Sequence, residues 1–196
     1  MTNTLRQFVA FLTVSVVYVA PVYANDLDKL AGEFLSVCQE SEPSIDVRIA
    51  RLKKLEWELS SAQDMAPVGK MLAATTSNLG KEVKILDVQT LARIGNGKQE
   101  YVILTDMFMS GTRVLGCNFY DLKSDSQDYL AVVESKFPES PSKTLNNPNV
   151  IISHTWSGAT LTDGVVSIRL GYVPPDSTTS DALGFSGVAL AMTRVK

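Results

Sequence analysis

Residues 1–24 constrain the fold most, because they read as an export leader rather than as part of a domain. Arg6 and the chain amine make a short positive start, Phe8 to Ala20 is almost wholly apolar, and Pro21 breaks the run ahead of Val22-Tyr23-Ala24. The apolar run covers about 13 residues, well short of the roughly 20 needed to cross a bilayer as a helix. Cleavage after Ala24 is therefore expected, giving a mature chain that starts at Asn25 and is periplasmic or secreted. Residues 25–196 then form one domain, long enough to bury its own core without help from a metal.

The oxidising destination gives the two cysteines a meaning. Cys38 follows Leu27, Leu30, Ala31 and Phe34 at helical spacing, whereas Cys117 shares a strand face with Leu115 and Phe119. Both thiols point inward, so a Cys38–Cys117 disulfide pinning the first helix to a sheet is expected. The alternative is a pair of separate buried thiols acting as small apolar side chains.

The chain carries a formal charge of −3, and losing Arg6 with the leader makes it one unit more acidic. Mild acidity with dispersed basic residues argues against a nucleic-acid partner, which needs a basic patch to displace counterions. Arg48, Arg51, Lys53 and Lys54 do lie close together, but Asp46, Glu56 and Glu58 accompany them, as on a solvated helix face. After the leader, no apolar run is long enough to span a membrane.

Helical periodicity covers Asp26 to Gln39 and, after Ser41-Glu42-Pro43-Ser44, about Ile45 to Ser61, where Ile45, Ile49, Leu52, Leu55 and Leu59 form one stripe. A third helical segment is expected from Pro67 to Asn78. From Val83 the period becomes that of strands. Val83–Ile94, Lys98–Phe108 and Thr112–Leu122 read as an antiparallel meander, turned at Gly95-Asn96-Gly97 and Met109-Ser110-Gly111. A helix carrying Tyr129, Leu130, Val133 and Phe137 follows, then a polar loop from Glu139 to Asn149. Val150–Trp156, Val165–Val173 and Phe185–Val195 complete the strands, with Pro174–Gly184 read as a mobile surface loop. The expectation is an α+β domain with an antiparallel sheet of five or six strands, N-terminal helices packed on one face, and one helix between two strand groups.

Chemistry is sparse. The only histidine, His154, lies in an apolar-rich strand without a nucleophile or orienting carboxylate beside it in sequence, which reads as structural. Ser186, in Gly184-Phe185-Ser186-Gly187, is one residue short of a nucleophile elbow and sits in a strand pattern, where the glycines suit a bulge or close backbone approach. Asp121, Asp125 and Asp128 lack the spacing of a calcium loop, and Gly95 and Gly97 join two strands with no helix to cradle phosphate. No catalytic, metal or cofactor-binding residue is nominated, and no cofactor is expected.

Aromatic residues offer the one hint of a surface. Tyr101, Phe108, Phe119, Tyr120, Trp156 and Tyr172 all fall in strands, and a sheet covered on one face exposes the other. Tyr101, Tyr120, Trp156 and Tyr172 are the candidate binding surface, against the plainer reading as core and cross-strand partners. Trp57 is assigned to helix packing. The functional expectation is an exported, non-enzymatic protein that binds another envelope protein or a small ligand; the alternative is a small secreted hydrolase with its site assembled around His154.

Overall fold

The computed structural model describes residues 22–39, 44–60, 68–70, 82–95, 98–122, 132, 135–136, 140–157 and 164–195, the side chains of 22–27, 95, 98 and 166 excepted. Its centre is one antiparallel sheet of eight strands: β1 (Glu58–Leu59), β2 (Val83–Gly95), β3 (Lys98–Met109), β4 (Thr112–Asp121), β5 (Lys143–Asn147), β6 (Ile151–Ser157), β7 (Val165–Val173) and β8 (Gly187–Val195). Their spatial order, β1-β2-β3-β4-β8-β7-β6-β5, is two four-strand meanders joined where β4 pairs with β8. Among the described residues α1 (Val22–Cys38), α2 (Ile45–Lys54) and the short α3 (Thr178–Leu183) are helical, as are residues 68–70 and 132.

This corrects the expected α+β fold of five or six strands with N-terminal helices packed on one face. Among the described residues the chain is mostly an eight-stranded antiparallel sheet with few, short helices. Two strands account for the difference in number. β1 falls inside the stretch that reads as the second helix: α2 stops at Lys54, and Glu56 adopts φ 65°, which no continuing helix allows. Leu59, which completes the apparent helical stripe, is 52 % exposed on β1. β5 is an edge strand with every residue exposed, so it has no buried face to impose an alternating pattern. Most of the helix expected between the strand groups and most of the one expected at 67–78 lie outside the described residues.

Alternation along the strands builds two cores on opposite faces. Val102 and Leu104 of β3, Leu115, Cys117 and Phe119 of β4, and Leu190 and Met192 of β8 meet Leu30, Phe34 and Leu52 of the helices. Phe119 packs edge-to-face with two rings, Phe34 at 5.7 Å and Trp57 at 5.4 Å between centroids. On the other face Tyr101 and Ile103 pack with Val68, Val173 and Phe185. The β3–β4 hairpin closes through Ser110 (φ 51°) and Gly111 (φ 81°), the pair of positive φ values that a two-residue type I′ turn requires. The disulfide between Cys38 and Cys117, with Cα atoms 5.7 Å apart, ties the end of α1 to the middle of β4. Among the described residues no helix is long and apolar enough to cross a membrane.

Candidate functional site

At the end of the sheet where β3 begins and β4 ends, the segment leading into β8 shapes an open cleft of about 600 Å³. Its local structure follows from three residues. The buried Ser177 caps α3, its Oγ accepting from the Ser180 N–H at 3.1 Å and donating to the Pro174 carbonyl at 2.7 Å. Pro174–Gly184, expected to be a mobile loop, thus contains a capped turn of helix. Gly184 ends it with φ 73°, its N–H bonding back to the Ser180 carbonyl at 2.8 Å. Gly187 then takes φ 121° directly against β4: a Cβ there would stand 2.1 Å from the Asp121 carbonyl oxygen. The two glycines that mimic half of an elbow motif are therefore what lets this turn lie flush on the end of the sheet.

Between those glycines, Phe185 enters the second core and meets Tyr120 edge-on at 6.3 Å. Leu122 and Phe185 make the apolar part of the cleft, and Gln99, Ser180, Asp181 and Ser186 supply a carboxamide, two hydroxyls and a carboxylate. Lys70 reaches the same rim, its Nζ 3.8 Å from where a Gly184 Cβ would be. The cleft is open, and its lining combines two apolar side chains with a few polar ones.

The four aromatic residues nominated from sequence divide between the two faces. Tyr101 is fully buried and Tyr120 partly buried in the core beside the cleft, where burial pushes the Tyr120 phenol well above its ordinary pKa. Trp156 and Tyr172 belong to the opposite core, each 4 % exposed. The four do not share one surface. His154 lies on β6, partly buried, with Nδ1 3.3 Å from Thr144 Oγ1 and its ring 6.3 Å from that of Trp156. Ser186 lines the cleft from the irregular link between α3 and β8 rather than from a strand-to-helix turn. Asp125 and Asp128 lie outside the described residues, and Asp121 is buried opposite Glu100. Among the described residues, no group of three or more His, Cys, Asp or Glu side chains is placed to hold a metal ion.

Sequence reading missed a second polar feature, on the face of α1 and α2. The Arg93 guanidinium of β2 donates from Nε to Glu100 Oε2 at 2.6 Å and from Nη1 to Glu33 Oε1 at 2.9 Å, with the Leu55 carbonyl 3.3 Å away. Its Cζ stands 4.3 Å from the centroid of Trp57, whose indole N–H donates to Glu33 Oε2 at 3.2 Å. Burial lowers the guanidinium pKa, but the two carboxylates outweigh it and leave Arg93 above its usual value. The available signal was the period itself: Glu100 and Arg93 occupy inward positions in step with Val102 and Leu91.

Compared with known proteins, the chain matches no family model, and no similar curated protein or solved structure is found.

Proposed function

We propose that this chain is an exported, non-enzymatic binding protein that holds a small ligand in the cleft between α3 and the ends of β3 and β4. The observation that carries the reading is the construction of the cleft: Ser177, Gly184 and Gly187 fix the turn, Phe185 anchors it, and four polar residues line the cleft together with Leu122 and Phe185. The lining suits a molecule with an apolar body against Phe185 and Leu122 and hydrogen-bonding groups toward Asp181 and the two serine hydroxyls. Export is supported by the leader pattern of residues 1–24 and by the Cys38–Cys117 disulfide, a bond that persists in oxidising compartments.

Screening a fragment library by thermal shift on the wild type and on Ser186→Trp tests the binding reading. Fragments that raise the melting temperature of the wild type and lose that effect in Ser186→Trp, with both proteins folded, are the expected result. Equal shifts in both proteins, or none in either, contradict it. Intact-mass measurement of the exported protein tests the leader: the chain is expected to begin at Asn25, and full-length chain recovered from membranes contradicts this.

A further inference from the structure

Glu100 occupies an unusual electrostatic position. It is buried, and its cross-strand neighbour on the same face is another buried carboxylate, Asp121 of β4. Like charges facing each other across a strand pair are destabilising. Among the described residues, the charged groups that act on Glu100 are Arg93 from β2, Asp121 from β4 and Glu33 from α1, and the turn after α2 brings the Leu55 carbonyl and the Trp57 ring to Arg93. Arg93 is shared, since Glu33 holds its Nη1 at 2.8 Å while Glu100 holds its Nε at 2.6 Å. One guanidinium thus serves two carboxylates, with a third carboxylate adjoining.

We propose that this cluster is an acid-tightened clasp, in which proton uptake by Glu100 holds α1 and Trp57 more firmly on the β2–β3–β4 part of the sheet. Its logic is linkage. When Glu33 and Trp57 close over Arg93, Glu100 is taken from water and brought toward Glu33. When they lift, Glu100 is hydrated and farther from that charge. The closed arrangement therefore binds the proton more tightly than the open one, and acidification favours closure by the same factor. Burial first, then the Asp121 and Glu33 charges, push the Glu100 carboxyl up against the opposing pull of Arg93, so the closed cluster titrates above the ordinary glutamate value of 4.5. An exported protein that meets mildly acidic surroundings would tighten this end of the fold, and at neutral pH the same clasp would open more often.

The test uses the intact disulfide-bonded protein. The indole N–H resonance of Trp57 is followed by NMR from pH 4 to 8, together with the side-chain carboxyl carbon of Glu100. The indole is expected to titrate with a midpoint above 4.5, in step with the Glu100 carbon. Exchange of α1 amides, corrected for intrinsic rate, is expected to be slower below that midpoint than above it. In Glu100→Gln the indole transition is expected to vanish, and in Asp121→Asn its midpoint is expected to fall. A midpoint at or below 4.5, a transition that survives in a folded Glu100→Gln, or α1 exchange that quickens on acidification overturns the proposal. If Glu100→Gln does not fold, the wild-type carbon titration and the Asp121→Asn shift still decide.

Discussion

Replacing Cys38 and Cys117 together by alanine removes the covalent tie between α1 and β4 while changing little of the volume around it. The bond spans 79 residues of sequence. On the chain-entropy account, freeing a loop of that size returns about 15 cal/mol/K to the unfolded chain, or roughly 4–5 kcal/mol at room temperature. Total stabilities of single domains are about 5–15 kcal/mol, so the double variant is expected to be marginal. At about 2–4 °C per kcal/mol for a chain of this size, its melting temperature falls by roughly 10–20 °C. Equilibrium urea unfolding of the oxidised wild type and the double variant measures the difference directly. The denaturant slope is expected to rise in the variant, because the uncrosslinked unfolded chain exposes more surface. A loss below about 1 kcal/mol with an unchanged slope would refute the reasoning: α1 would then be held on β4 by Leu30, Phe34 and their neighbours alone.

Gly187→Ala places a methyl where the backbone has φ 121° and where the Asp121 carbonyl stands 2.1 Å away, so a loss of roughly 2–4 kcal/mol is expected by thermal or urea unfolding. Gly32→Ala is its control: nothing lies within 4 Å of the added methyl in α1, and alanine is the better helix former, so stability should be equal or slightly higher. The global stability of the wild type relative to Glu100→Gln should depend on pH. Because the folded-state pKa of Glu100 is raised above 4.5, the folded state binds the extra proton, and the wild type gains stability relative to the variant as pH falls from neutral toward 4.5. A difference that stays flat, or that grows as pH rises, contradicts the assignment.

What the sequence discloses follows from where periodicity is enforced. β7 at Val165–Val173 coincides with the expected strand, and β2, β3 and β4 match within a residue or two, because their alternating side chains fill two cores and a one-residue slip would empty both. The inward direction of Cys38 and Cys117 is legible for the same reason. β5 escapes because a fully exposed edge carries no alternation, and β1 because Leu55 and Leu59 happen to extend a helical stripe that Glu56 interrupts with a left-handed backbone. The cleft escapes because it depends on contacts between Gly184-Phe185-Ser186-Gly187 and the distant ends of β3 and β4, which no local pattern encodes. The Arg93 cluster is intermediate: its inward charges violate the strand pattern at Glu100 and Arg93, but their partner Glu33 comes from a helix some 60 residues away in the chain.

Whether the α3–β8 turn forms a binding site is read most directly by amide chemical-shift mapping of the folded protein with the best fragment from the thermal-shift screen. Saturable shifts concentrated at Gln99, Leu122, Ser180, Asp181 and Ser186, and absent in Ser186→Trp, are expected. Saturable shifts confined to another face, such as the neighbourhood of His154 and Thr144 on β6 and β5, would contradict the binding reading and move the site elsewhere.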